Sequence, residues 1–246
     1  MASVDARDVQ ANLAAFASAK LPGITAQALT KAAWAAKDAL QASMQSVFDR
    51  PTPFTMRSPI VIPAERGLNN PFAVVGFREW APKGVPAGRY LQPQVFGGQR
   101  PQKGMERALG LRPTRQATPG KWAELDAYGN MNPGQLRKIM SFLRLGGSTT
   151  SAAQNRGNRP SKGKRRAEEY FIVPVGRTDS LLPPGIYRRG SEFGGAPLLV
   201  VAFVRAAEYE PRFPFSQVVK KAVDQSLHRA FLEAFGEKMA ASLARR

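Results

Sequence analysis

The sequence predicts an α+β fold: a mainly antiparallel β-sheet or sandwich, flanked by an N-terminal and a C-terminal amphipathic helix, with a long irregular insertion. Apolar residues recur at helical spacing near both ends of the chain, and short apolar runs bounded by Pro and Gly occupy its middle. No strand–helix–strand alternation is visible, which argues against a parallel doubly wound sheet. We therefore expect a single α+β domain over residues 1–246, with residues 97–167 as the insertion.

Both flanking helices are predicted from periodicity. The sequence predicts one amphipathic helix over residues 22–48, with Pro22 near its start and Arg50-Pro51 beyond its end. A shorter helix is expected over residues 5–19. The apolar stripe of the helix over residues 22–48 comprises Leu29, Ala33, Ala36, Leu40, Met44 and Val47. A closing helix from about Ser216 carries Val219, Val223, Leu227, Ala230, Phe231, Ala234 and Phe235 on its stripe.

Six apolar runs between these helices predict strands, because they are short, rich in β-branched or aromatic residues, and interrupted by turn formers. They are Ile60–Ile62, Phe72–Phe77, Tyr90–Phe96, Tyr170–Val173, Gly185–Arg188 and Pro197–Val204. The many prolines around the first three runs place some of these strands at sheet edges or in extended arms.

The insertion contains one predicted helix, near residues 133–145. Asn132 suits the N-cap and Pro133 the first helical position, while Gly146 ends the segment. Residues 154–166 are basic and nearly free of apolar side chains. The sequence therefore predicts a basic mobile loop over residues 152–167.

Composition favours binding over catalysis. Lys and Arg total 36 against 18 Asp and Glu, so the formal net charge is +18, and the chain has one histidine and no cysteine. Thiolate nucleophiles, cysteine metal sites and multi-histidine metal sites are thereby excluded. We expect no enzymatic activity and no cofactor. No apolar run is long enough for a membrane span, and the first residues lack a signal-peptide pattern, so synthesis and folding in the cytoplasm are expected.

The remaining catalytic patterns are weak. His228 stands next to Leu227 and Arg229 without a carboxylate or nucleophile grouped with it in sequence, so a surface or interface role is favoured over a general base. The glycine pairs match neither a P-loop nor a dinucleotide-binding motif. A carboxylate metal site for nuclease chemistry lacks motif spacing. Its candidates are Glu65, Glu79, Glu124, Asp126, Glu168, Glu169 and Asp179.

Two segments are candidate binding sites. The first is a basic run comprising Arg156, Arg159, Lys162, Lys164, Arg165 and Arg166. It can contact phosphates without sequence preference, hold an acidic face of a neighbouring subunit, or keep the protein soluble, and the subunit contact is slightly favoured. The second is the turn containing Arg50, Pro51, Pro53 and Phe54. Connectors are its simplest interpretation, and arms that reach a neighbouring subunit are the functional one.

The order of these elements resembles a known group of virion proteins. An Ala-rich helix (Ala26–Val47) leads through a proline-containing loop to strands, and Pro214-Phe215 introduces a closing helix over Val218–Phe235. Three short segments, Phe48–Thr55, Leu125–Asn130 and Leu182–Tyr187, look like segments of prophage-encoded virion proteins. The layout resembles the minor tail protein Z and neck proteins of tailed bacteriophages, the tail-completion or head–tail joining group.

This resemblance covers the two ends of the chain better than the middle, because residues 97–167 exceed the compact members. It implies a structural protein that forms a homo-oligomeric ring and contacts connector or portal-side proteins and tail proteins. The ring would be located in the virion after synthesis in the bacterial cytoplasm, and a positive inner face would line the path of the DNA. The alternative function is a sequence-nonspecific nucleic-acid-binding protein.

Overall fold

A computed structural model describes residues 6–68, 70–82, 84–143, 170–190 and 195–243. It confirms the α+β class, with antiparallel sheets and helices near both ends of the chain. The helices are α1 Ala6–Val47, α2 Pro53–Met56, α3 Ala87–Phe96, α4 Gly104–Ala108, α5 Pro133–Phe142 and α6 Phe215–Leu243. The strands are β1 Pro59–Ile62, β2 Val74–Phe77, β3 Gly98–Gln99, β4 Arg115–Pro119, β5 Tyr170–Val173, β6 Gly185–Arg188, β7 Leu198–Arg205 and β8 Glu208–Tyr209.

The chain divides into two compact units. Unit 1 comprises the chain up to Gly97 and from Glu210 onward, and unit 2 comprises Gly98–Tyr209. Unit 2 starts close to the predicted beginning of the insertion and extends well past residue 167. The single-domain assignment and the extent of the insertion stay predictions. The predicted basic loop at 152–167 lies outside the described residues.

Unit 1 is built on two long antiparallel helices. Towards the end of the pair at which α6 terminates, Lys31 of α1 lies 3.0 Å from Glu237 and 3.4 Å from Glu233 of α6. Small side chains fill much of the interior, so the two helices pack closely. The buried alanines of these helices are Ala26, Ala28, Ala32, Ala33 and Ala36 in α1 and Ala222, Ala230 and Ala234 in α6.

The first helix differs from the prediction in one respect: α1 is continuous through Pro22, where the sequence predicted two helices. Proline removes one backbone donor and crowds the preceding turn, which ordinarily ends or kinks a helix. Here the turn directly after Pro22 is held by tertiary burial, since Ile24 and Ala26 are both inside the core. That burial opposes the local cost of the proline.

The other end of the helix pair closes on an aromatic core. Phe213, just before α6, is 1% exposed and its ring centroid lies 5.3 Å from that of Phe48. Leu40 and Met44 of α1 and Leu91 of α3 belong to the same buried cluster. Strands β1 and β2 pair as an antiparallel hairpin, and β2 contributes partly buried side chains to this core.

The strand predicted over Tyr90–Phe96 is wrong: these residues form most of helix α3. Pro86 precedes the helix at its N-cap, and Ala87 and Leu91, four residues apart, are both buried. The aromatic and β-branched residues of the run suggested a strand. The helical spacing of Ala87 and Leu91 against the aromatic core determines the observed structure.

Unit 2 contains a four-stranded antiparallel sheet in the order β4-β7-β6-β5. Central strand β7 is flanked closely by two glycines. A Cβ at Gly120 would collide with the carbonyl oxygen of Leu199, and one at Gly185 with that of Val201. Helix α5 begins as predicted, with the Asn132 side chain accepting a hydrogen bond from the N–H of Gly134 at 2.7 Å.

A buried ion pair joins three segments of unit 2. The carboxylate of Glu106 is 0% exposed and accepts two hydrogen bonds from Arg100, at 2.5 and 3.0 Å. It also accepts from the backbone N–H groups of Lys103 at 2.7 Å and Ala117 at 2.8 Å. One side chain thus connects the chain before α4, helix α4 itself and strand β4.

Candidate functional site

The six residues of the predicted basic run, Arg156, Arg159, Lys162, Lys164, Arg165 and Arg166, lie outside the described residues. Their role as a nucleic-acid or partner-binding site stays a prediction. The remaining candidate sites lie on the described surface.

The second predicted segment forms a compact turn between α1 and β1. Arg50 adopts a left-handed backbone conformation (φ 45°), and its guanidinium pairs with the neighbouring carboxylate of Asp49 at 3.2 Å. Thr52 then caps the one-turn helix α2, in which Pro53 and Phe54 are the first two residues. Pro51 lies half-buried between these two features.

Hydrogen bonds between side-chain hydroxyl groups stabilise this turn and connect it to α3. The hydroxyl groups of Thr52 and Thr55 lie 2.9 Å apart, and Thr55 also lies 2.9 Å from the hydroxyl of Tyr90 on α3. Phe54 remains 42% exposed. The segment is a folded connector with one exposed aromatic ring, and its role as an oligomer arm stays a prediction.

His228 lines a groove of about 460 Å³ along the seam of α1 and α6. Thr25 and Leu29 of α1 and Phe231 of α6 line the same groove. Asp224, one turn before the histidine, is paired with Lys220 at 2.8 Å. The groove therefore presents apolar surface and an imidazole, without the paired base and nucleophile that acyl-transfer or hydrolytic chemistry uses.

The acidic residues of the described chain do not assemble a metal site: no group of three or more potential ligands among them could hold an ion. Asp126 shows a structural role instead. Its side chain accepts hydrogen bonds from the backbone N–H groups of Tyr128 and Asn130, both at 2.9 Å, and so shapes the loop before α5. Within the same described residues, no helix has the length and apolar character that crossing a membrane requires.

The strongest candidate site is the outer face of the β1–β2 hairpin in unit 1. Val75 and Phe77 of β2 pack on the aromatic core, so the alternate residues Val74 and Gly76 project away from it. Val74 pairs with Ile62 in the antiparallel register, and Gly76 pairs with Ile60. Directly opposite residues share a face, so this outer face is aliphatic and continuous across both strands.

This outer face is open to solvent. Ile62 is 56% exposed and Val74 is 40% exposed. A Cβ built on Gly76 meets no atom within 4 Å. The face therefore has no covering layer among the described residues, whereas the opposite face of the same hairpin lies on the core.

Large exposed apolar side chains continue along unit 1 beyond the hairpin. Phe72, which precedes β2, is 65% exposed, Trp80 is 68% exposed, and Phe96 at the end of α3 is 75% exposed. Single exposed apolar residues are ordinary on protein surfaces, but an uncovered sheet face in a unit that also exposes several aromatic rings is typical of interaction surfaces.

Sequence reasoning predicted both strands of this hairpin but not the uncovered face. The runs Ile60-Val61-Ile62 and Phe72–Phe77 are almost continuously apolar, which is typical of strands covered on both faces, whereas their flanking prolines predicted sheet edges or extended arms. The structure covers one side only. The uncovered apolar face is the feature that identifies the outer side of the hairpin as a candidate interaction surface.

Comparisons with known proteins add no assignment: no protein-family model, no curated protein and no solved structure matches this chain.

Proposed function

We propose that this chain is a structural protein of a tailed-bacteriophage virion: a neck or tail-completion component that forms a homo-oligomeric ring and joins the head to the tail. The proposal starts from the resemblance in element order and is supported by one structural observation, the uncovered outer face of the β1–β2 hairpin. A protein that works alone in solution gains nothing from an exposed aliphatic sheet face, whereas a subunit of an assembly buries it.

A ring requires each subunit to present two different surfaces, one contacting the preceding subunit and one the following subunit. The hairpin supplies a suitable first surface, because its outer face is apolar. In addition, β1 and β2 form a two-stranded sheet, so each strand has one edge that pairs with no other described strand. Its partners in this proposal are other copies of the chain, with connector or portal-side proteins and tail proteins at the two ends of the ring.

The net charge supports a position on the path of the genome. Each subunit of a ring would carry a formal charge of +18, so the field at the centre of the ring would favour DNA without reading its sequence. In this proposal the protein is made in the bacterial cytoplasm and resides in the virion.

Sedimentation of the native protein from its source lysate, with and without nuclease digestion, tests the proposal. Co-sedimentation with megadalton particles that survives nuclease is the expected result. Fast sedimentation that collapses after nuclease would instead favour the alternative, a sequence-nonspecific nucleic-acid-binding protein, for which the same positive charge is the supporting observation. Slow sedimentation in both samples would contradict both functions.

A further inference from the structure

Unit 2 carries a groove of about 480 Å³ on one face of its four-stranded sheet. Leu109 and Leu111, from the segment before β4, line one side, and Ile172 and Val175, from the end of β5 and the residues after it, line the other. Phe203 of the central strand β7 contributes a buried ring, 5% exposed, to the base. The groove thus combines these apolar walls with the polar side chains of Arg112, Thr114 and Arg115.

Two arginines stand directly opposite each other where β4 begins and β7 ends, and one of them, Arg115, lines this groove. Arg115 of β4 pairs with Arg205 of β7 in the antiparallel register. The adjacent pair carries the ladder hydrogen bond, from Ala206 N–H to the Thr114 carbonyl at 2.8 Å. Arg115 and Arg205 therefore form a non-hydrogen-bonded pair, the type in which opposing side chains approach most closely.

These two side chains project on the groove side of the sheet. Residues two positions apart on a strand share a face, so Arg205 lies on the same face as Phe203, and Arg115 on the same face as Ala117. Ala117 and Phe203 are themselves register partners. Arg112 lines the groove as well and lies in the turn that leads into β4, where the Arg115 N–H donates to its carbonyl at 2.9 Å.

No carboxylate balances this arginine group within the part of the chain that the structure describes. Arg100 is paired with Glu106 and Arg177 with Asp179 in the same unit, but Arg112, Arg115 and Arg205 form no ion pair with any described residue. Like charges directly opposite each other destabilise a sheet. The arrangement therefore lacks a stabilising role within the described unit and suits an external anion.

We propose that this groove binds an extended segment of a partner protein in which a carboxylate side chain lies next to aliphatic side chains. The planar guanidinium groups of Arg115 and Arg205 present paired N–H donors that match a carboxylate, and Arg112 adds a third positive charge. Neighbouring aliphatic side chains fill the walls formed by Leu111 and Val175. Duplex DNA offers phosphates but no aliphatic chains that could pack against the walls of the groove. A peptide therefore fits the chemistry of the groove better.

This inference does not depend on the virion assignment, because it concerns one groove in unit 2 and applies equally to a protein that is never assembled. A sedimentation experiment that contradicts the virion proposal would not contradict peptide binding by this groove. Failure of the peptide experiment below would leave the virion proposal standing.

The test is fluorescence anisotropy with the full-length protein and a fluorescein-labelled peptide, Gly-Leu-Glu-Leu-Glu-Leu-Gly. Its matched partner replaces both glutamates with glutamine. The protein variant Arg115→Gln with Arg205→Gln removes the opposed pair. The control variant, Lys121→Gln with Arg137→Gln, removes the same charge from exposed positions of unit 2 that do not line the groove.

We expect saturable binding of the glutamate peptide, at least tenfold weaker binding of the glutamine peptide, and a loss of at least tenfold with the Arg115/Arg205 variant but not with the control. The Tm of the Arg115/Arg205 variant should equal or exceed that of the wild type, because an opposed pair of like charges is removed. A lowered Tm would instead assign the arginines a structural role and overturn the proposal.

Three binding outcomes would also overturn it. Equal loss in both variants would mean that the peptide responds to net charge alone. If no saturable binding is seen up to about 1 mM peptide, the binding free energy is weaker than about −4 kcal/mol. The groove would then not recognise this chemistry. Complete displacement of the peptide from the wild type by a 20-base-pair DNA duplex, together with weaker direct binding of the labelled duplex by the Arg115/Arg205 variant, would identify a nucleic-acid site.

Discussion

Glu106 is the residue on which unit 2 most clearly depends. Its side chain is fully buried, and the side chain of its partner Arg100 is only 15% exposed. Both charged groups are therefore largely desolvated. Breaking a buried pair by removing one charge typically costs about 3–5 kcal/mol, because the remaining charge stays buried without a partner. We expect Glu106→Gln to lower the free energy of unfolding by about this amount in urea denaturation.

The matched control for this substitution is Asp179→Asn. Asp179 also pairs with an arginine, Arg177, at 2.8 Å, but both side chains are at least half exposed. Exposed pairs are screened by solvent and contribute little to stability. Equal destabilisation by the two substitutions would show that burial of Glu106 does not set the strength of its interaction.

The same carboxylate predicts a pH dependence of stability. Burial acts to raise the pKa of Glu106, but the hydrogen bonds from Arg100 and from the N–H groups of Ala117 and Lys103 outweigh it and lower that pKa below its usual value. The unfolded chain, with a glutamate pKa of about 4.3, therefore takes up a proton before the folded protein does. This contribution to stability is fully present above about pH 4.3 and is lost as the pH falls through the lower folded value.

Urea denaturation of the wild type and of Glu106→Gln between about pH 3 and pH 7 checks this sign. The difference between the two proteins in free energy of unfolding should shrink as the pH falls. A constant difference across that range would contradict the lowered pKa.

Among the elements, the long helices were predictable because their apolar spacing is local to the chain. The predicted stripe residues Ala33, Ala36, Leu40 and Met44 are indeed buried in α1. Helix α3 was not predictable from the same information. Its apolar residues also satisfy a strand pattern, and the contacts that decide between the two come from Phe213, far along the chain.

The candidate sites show the same division between local and non-local information. The pairing of Ile62 with Val74, and of Arg115 with Arg205, is fixed by strand register, which depends on which segments meet in three dimensions. A single sequence gives the residue types but not these partners. The basic run at 156–166 was apparent in the sequence because charge density needs no partner to be recognised.

The apolar stripe predicted for the closing helix places Phe231 towards the core. If Phe231 were buried, its replacement by alanine would cost about 3–5 kcal/mol. In the structure Phe231 is half-buried, with its ring 6.4 Å from that of Phe235, whereas Phe213 is enclosed. We expect Phe213→Ala to lower the free energy of unfolding by about 3–5 kcal/mol and Phe231→Ala by clearly less.

Urea denaturation of both variants, with Leu232→Ala as an exposed control on the same helix, distinguishes these sites. A larger effect at Phe231 than at Phe213 would mean that the helix pair is anchored along its seam. The structure instead indicates anchoring at the aromatic end.

If the protein assembles as proposed, the β1–β2 hairpin should be part of the contact between subunits. Replacing Ile62 and Val74 by threonine keeps β-branched side chains in both strands but removes part of the aliphatic outer face. Because both residues point away from the core, the double variant should retain the wild-type circular dichroism spectrum and Tm. Sedimentation velocity over a range of protein concentrations should show that self-association is weakened or lost.

Leu181→Thr is the control for this experiment, because Leu181 is fully exposed and lies in unit 2. It should self-associate like the wild type. Unchanged association of the Ile62/Val74 variant would remove the hairpin from the proposed subunit contact, and equal loss in the control would indicate nonspecific apolar aggregation.

The two glycines beside β7 have a practical consequence for engineering. Stabilising a protein by replacing glycine with alanine relies on restricting the unfolded chain, and it succeeds only where the folded backbone has room for a methyl group. Gly236, inside α6, meets no atom within 4 Å of a built Cβ, so Gly236→Ala should gain about 0.5–1 kcal/mol in chemical denaturation. At Gly120 and Gly185 the same methyl would meet a backbone carbonyl of β7, and no rotamer change can relieve that collision. A programme of glycine replacement should therefore begin in the long helices and leave the central sheet of unit 2 untouched.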